Sequence, residues 1–242
     1  MKFRKLLIIL LAGVSCSFTS SYAQSNENPN VSLTAKQQSI IPIAALTAKG
    51  ELEQLKPALS AGLDAGLTVN EIKEILVHLY AYCGFPRSIR GLQTFMEVLE
   101  ERKANGITDD MGREATTVST ELSKYDRGKE NLEKLTGITQ TGPQTGYAAF
   151  APVIEIFLKE HLFAAIFERD VLTFAERQLV TISVLSSIGG VEPMLRSHLN
   201  ICLNLGYSPG QLNQFTEIIK TKVGKKEAKT AQAVLDEVLS NR

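Results

Sequence analysis

The sequence predicts an all-α protein, on three observations. Hydrophobic residues recur at helical spacing along nearly the whole chain, no long stretch alternates with period two, and helix-start signatures precede several of the apolar runs. At 242 residues, with 44% hydrophobic and 21% charged side chains, there is apolar material for a sizeable core.

The first segment is expected to be a leader rather than part of the fold. "MKFRKLLIILLAGVSCSFTSSYAQS" has a basic start (Lys2, Arg4, Lys5), an apolar run over residues 6–14 and Ser-Tyr-Ala before Gln24, the order of a secretory signal with cleavage after Ala23. A membrane anchor would need roughly 20 apolar residues, about twice this run. Cys16 offers a lipoprotein alternative, but Gly13 stands three positions earlier where a leucine-like residue is usual. The expected location is therefore periplasmic or secreted.

Thr34 and Gln37 form a possible capping box for a first helix through Ile40, Ile41, Ile43 and Leu46, which holds Pro42 and stops near Gly50. A second helix carries Leu52, Leu55, Leu59 and Leu63 and ends at Gly66. Thr68 with Glu71 caps a third, whose apolar face is Ile72, Ile75, Leu76, Leu79 and Cys83, and "GFP" at 84–86 is expected to stop it. Pro86 then suits the first turn of a fourth helix that fades at "ERKANG". Residues 105–124 are polar and Thr-rich, a linker. Beyond it "YDRGKENLEKLTG" reads as helix, "TGPQTG" as turn and "FAPVIEIFLKEHLFAAIFER" as further helix.

The pattern then returns. Leu33, Ile43 and Leu46 match Leu172, Ile182 and Leu185 at an offset of 139 residues. Leu55, Leu59, Leu63, Gly66, Ile72 and Gly84 match Leu195, Leu199, Leu203, Gly206, Leu212 and Gly224 at 140, the extra residue falling at "GG" in a loop. Matching apolar positions and glycines on both sides of one insertion predict a tandem duplication, with one copy over 31–104 and the other over 125–240.

The segments "AALTAKGELEQLKPALSAGLDAGLTVNEIKEILVHLYAYCGFPRSIRGL" and "LTFAERQLVTISVLSSIGGVEPMLRSHLNICLNLGYS" resemble the carboxymuconolactone decarboxylase family, which includes the alkylhydroperoxidase-D-type proteins. The combination "AG-L-T-x-x-E-I" with "Y-x-G-F-P" carries most of the resemblance, and "YDRGKENLEKL" resembles the family's N-terminal helix. The resemblance implies helical units that assemble into rings, with two copies in one chain implying a trimeric homo-oligomer. Its peroxidase branch uses Cys-x-x-Cys, a histidine four residues after the second cysteine and a glutamate on the preceding helix. Here His198 holds the histidine position, Val191 and Met194 hold the cysteine positions, and Leu179 with Gln178 beside it holds the glutamate region. The first copy has Glu51, Gln54 and Ala58 there, so neither copy has the dithiol.

Without the leader 23 basic residues face 26 acidic ones, and no basic patch points to nucleic acid. After leader removal no stable membrane insertion is expected. Cys83 and Cys202 have no zinc-site spacing, and neither metal nor cofactor is implied.

The candidate site residues are His198, His78, Glu74 and Cys83 for catalysis and Tyr82 and Arg87 for substrate binding. His198, four residues before Cys202, is either a general acid and base or a helix histidine hydrogen-bonded at a packing edge. Glu74, His78 and Tyr82, with Glu71 a turn earlier, form a polar stripe that either lines a pocket, the carboxylate raising the histidine's pKa, or is a solvated or subunit-facing edge. Cys83 is a nucleophile or a small buried hydrophobe, disfavoured as thiolate at a helix C-terminus unless Arg87 offsets it. Cys202 reads as core. Arg87 and Arg90 open the fourth helix, where a carboxylated substrate could dock or where two arginines are simply exposed.

Three functions follow: cofactor-free acid–base chemistry, such as decarboxylation, on a small anionic molecule with His198 or His78 giving the proton; peroxide reduction by a remaining thiol; or non-catalytic binding.

Overall fold

The computed structural model describes residues 32–118 and 120–242, and the leader, its cleavage point after Ala23 and Cys16 lie outside the described residues. Eleven α-helices and one π-helix make up the fold among those residues, and no strand occurs among them. None of the described helices is long and apolar enough to cross a membrane.

The first four are α1 (Ala35–Lys49), α2 (Leu52–Asp64), α3 (Val69–His78) and α4 (Tyr80–Ala104). The capping boxes expected at Thr34 and Thr68 are both formed, and Gly50, in the left-handed region at φ 76°, ends α1. The stop expected after Cys83 is resolved differently. A turn at Leu79 separates α3 from α4, and the break falls inside α4 at Gly84 (φ 82°, ψ 159°), a conformation open to a residue without Cβ. Leu79 keeps right-handed helical angles, so the stripe continues across the turn and His78 still lies beside Tyr82.

Up to α5 the described residues of the Thr-rich stretch form no helix or strand but are strapped to the body. Val69 and Asn70 donate backbone N–H bonds to the Asp110 and Met111 carbonyls, and Arg113 pairs with Asp170. After it come α5 (Lys124–Thr136), α6 (Gly146–Phe150) and α7 (Pro152–Phe157), then the π-helix (Leu158–Ile166). The single helix expected over 150–169 is therefore interrupted: Ala151, before Pro152, is pushed out of the helical region to φ −133°, ψ 76°.

Four helices close the chain: α8 (Phe174–Ile188), α9 (Glu192–Asn204), α10 (Pro209–Lys222) and α11 (Lys225–Ser240). Helices α8 and α9 have the same lengths as α1 and α2, 15 and 13 residues, and capping boxes recur at Thr173 and Ser208. One core joins both sets. Helices α1 and α8 pack on each other at its centre, each buried over a run that is not amphipathic, from Ile40 to Ala48 and from Arg177 to Ser186. A smaller cluster of Leu135, Leu162, Phe163, Ile166, Phe167 and Ile201 seats α5 and the π-helix on α9.

Candidate functional site

Polar side chains are rare inside a helix that is buried all round, and α8 carries three near its start: Arg177, Gln178 and Thr181, all fully buried. They face the stripe of α3 and α4 on one side and α9 on the other. The Gly189–Gly190 turn, with both φ positive, folds α9 back along α8.

Glu74 is buried and committed to two arginines. Its Oε1 accepts from Arg169 Nε at 2.8 Å and its Oε2 from Arg177 Nη2 at 3.1 Å. Arg177 also donates to the Arg169 carbonyl, which fixes its fork. Glu114 also acts electrostatically on Arg169, so two carboxylates face the two guanidiniums.

The proton positions on His78 follow from its neighbours. A guanidinium only donates, so at 3.3 Å from Arg177 Nη1 the His78 Nδ1 must be the acceptor. Nε2 then carries the hydrogen and donates to Thr181 Oγ1 at 2.9 Å, whose own hydrogen goes to the Arg177 carbonyl at 3.0 Å. Both ring nitrogens are spent. The expectation that a carboxylate raises this histidine's pKa is overturned: burial, then the Arg177 charge and then His198, hold it well below the ordinary value. Glu74 spends its charge on the arginines, and Arg177 is the group that reaches His78.

His198 is bound on one side only. Its Nδ1 lies 2.8 Å from Gln178 Oε1, and an amide oxygen only accepts, so Nδ1 carries the hydrogen and Nε2 the lone pair. Burial pushes its pKa down to about 4, so the ring is neutral near pH 7, while the residue keeps partial exposure. Tyr82 stands between the imidazoles, 5.4 Å from His78 and edge-on at 5.9 Å from His198. Its phenol is pushed up to about 12 by burial, so it keeps its proton. The buried Arg177 Nε and Gln178 Nε2 have no hydrogen-bond partner among the described residues.

Glu74, His78, Tyr82 and His198 are thus brought together, and Cys83 and Arg87 are not part of their contacts. Cys83 Sγ donates to the Leu79 carbonyl at 3.2 Å, and burial pushes its thiol up to about 11 despite the nearby Arg87. Cys202 is buried in the main core and raised further by burial, and both cysteines are free. The exposed Arg87 lays its guanidinium over Gly50, where a Cβ would fall 1.4 Å from Nη1. Arg90 is exposed and bonded to Gln93. Sequence reasoning assigned no role to Arg169, Arg177 or Thr181 and left Gln178 as a neighbour of the glutamate position. The signal was present as polar residues inside "RQLVTISVL".

Residues 21–95 match the model of the carboxymuconolactone decarboxylase family. Over 85 residues the chain is 29% identical to a 4-carboxymuconolactone decarboxylase of Acinetobacter baylyi, which covers 35% of this chain and 63% of that protein. The family match takes in Glu74, His78, Tyr82, Cys83 and Arg87, and stops before α8 and α9, which supply the other side of the cluster. The similarity to the carboxymuconolactone decarboxylase family thus covers about a third of the chain, ending within α4, and less than two thirds of the length of the curated relative.

Proposed function

We propose that the protein performs cofactor-free acid–base chemistry on a small anionic organic molecule, with His198 moving the proton. The observation that carries this reading is the 2.8 Å contact between His198 Nδ1 and Gln178, which fixes the tautomer and leaves Nε2 as a neutral base. Nε2 takes an acidic proton from the substrate, and the resulting imidazolium, disfavoured by burial, returns it to carbon. In a decarboxylation the C–C bond breaks, carbon dioxide leaves, and the electron pair left on carbon takes that proton, so His198 is regenerated. Glu74 and His78 are positioning residues here, since their polar atoms are already occupied. A panel of small lactone and keto acids, followed by carbon dioxide release, tests the reading. His198→Gln should lower kcat/KM roughly 10²–10⁴-fold, and a variant as active as wild type ends the assignment.

Non-catalytic binding is the second reading, favoured because His198 meets an amide rather than a carboxylate. It expects no turnover on the panel and ligand binding insensitive to His198→Gln. Peroxide reduction needs a thiolate, and the raised thiols of Cys83 and Cys202 argue against one. Unchanged free-thiol titration after peroxide would remove it.

Three further parts belong to the same reading. The matching lengths of α1 and α2 with α8 and α9, and the capping boxes that open α1, α3, α8 and α10, support a duplication. Export with cleavage after Ala23 is tested by the N-terminal mass of the exported protein. A homo-oligomer, trimeric by the family resemblance, is tested by light scattering.

A further inference from the structure

We infer that the open face of α1 and α2 is a docking groove for the α6–α7 arm of a second copy of this chain. The inference rests on the homo-oligomer reading and adds the surfaces that would make it.

The groove has a volume of about 730 Å³ and runs between α1, α2 and the end of α10. Its lining includes Ala35, Ala61 and Ala65, with polar side chains such as Gln38, Gln54, Glu53 and Lys222 along it. At the 139- and 140-residue offsets the three alanine positions correspond to Phe174, Ile201 and Leu205. That second face is not open: Ile201 is buried, and Phe174 and Leu205 pack with it against Leu162, Phe163 and Phe167 of the π-helix segment. The same face therefore occurs at both offsets. One is roofed by aromatic and aliphatic side chains from the preceding helices, and the other has alanine at the three corresponding positions and stands open.

The chain carries an apolar element without a cover. Along α6 and α7, Phe150 is 91% exposed, Tyr147 61%, Phe157 58% and Val153 56%. A contiguous run of large apolar side chains at that exposure marks an interaction surface. Scaled by their exposure, three aromatic side chains at about 150–250 Å² each offer roughly 300–500 Å², and Val153, Ile154 and Ile156 between them add to this, against the roughly 800 Å² per partner of a stable interface. Bulky side chains on the arm suit the space left by these three alanines, and the polar residues of the lining would form the rim of the contact. Because arm and groove are different surfaces, the contact is heterologous, and repeating it around an axis closes a ring.

Light scattering after size exclusion, at micromolar concentration, tests this with wild type, Phe150→Asp and Ala61→Arg. Both positions are exposed, so helix content by circular dichroism should be unchanged. Wild type is expected to be multimeric, and each variant to weaken assembly by roughly 30-fold or more, the effect of removing a buried anchor. Mixing Phe150→Cys with Ala61→Cys protein under oxidation should give a disulfide between chains that neither variant gives alone. A monomeric wild type ends both this inference and the homo-oligomer reading. An oligomer indifferent to both variants, or lacking the mixed disulfide, ends this inference and leaves that reading standing.

Discussion

His78 and His198 lie within one ring of each other and differ in what remains free on them. His78 gives one nitrogen to Arg177 and the other to Thr181, whereas His198 gives only Nδ1, to Gln178. Both are held neutral by burial. The unfolded chain, with histidines near 6.5, therefore binds protons that the folded chain refuses as pH falls. The stability they confer is complete above about pH 6.5 and is lost on acidification, for His198 down to about pH 4. Because His198 keeps some solvent contact, we expect its share to be about 1–2 kcal/mol. Urea unfolding at pH 7 and pH 4.5 should show a smaller difference for His198→Gln than for wild type, and equal differences would contradict the burial of that ring. Glu74→Ala should cost about 3–5 kcal/mol, because it strands Arg177 as a buried charge. A loss under 1 kcal/mol in the same urea experiment would mean that the pair is solvated. The stripe on α3 could be read in sequence because i, i+4 spacing survives any helical geometry. Its partners on α8 could not, since which face of a wholly buried helix meets which neighbour is decided by packing, and the same packing decides that His198 of α9, legible by itself, joins the stripe.

Helix ends were legible for local reasons: Thr34 and Thr68 cap through side chains three residues apart, and Gly50 supplies a backbone conformation that others resist. Thr68→Ala should accordingly cost about 1 kcal/mol in thermal or urea unfolding, and no change would mean that the strap at Asp110 and Met111 holds that end alone. Where the chain departs from expectation the cause is tertiary or conformational: Pro152 splits one apolar run, and the segment after it widens into a π-helix against α5. That contact depends on Gly128. A Cβ there would lie 1.8 Å from the Lys159 carbonyl oxygen, with backbone on the other side and no side chain able to yield. Gly128→Ala should therefore lift α5 off the π-helix, at a cost of about 1–3 kcal/mol or more. Hydrogen exchange would show faster amides in both segments and protected ones in α1 and α8. Unchanged protection of α5 would show that the two segments separate without loss.

At the scale of the molecule, the two four-helix sets are not independent bodies. Ile40, Ile41, Ile43, Ala44 and Ala45 of α1 are fully buried, and α8 supplies the neighbouring surface with Leu179, Val180, Ile182 and Val184. Neither helix has a polar face to turn to water. A fragment limited to residues 32–106 would thus expose a whole helix side, which a chain of that size cannot offset with its remaining core. We expect the intact protein to unfold in one transition, with circular dichroism and tyrosine fluorescence tracing the same urea curve. We expect the fragment to show no cooperative transition as a monomer, or to recover one only by pairing two copies through α1. Two separate transitions in the intact chain, or a monomeric fragment that melts cooperatively, would show each set folding alone. The buried cluster of Glu74, Arg177, His78 and His198 would then be an interface between two bodies, whereas a shared core makes it an interior that forms only when both sets have folded.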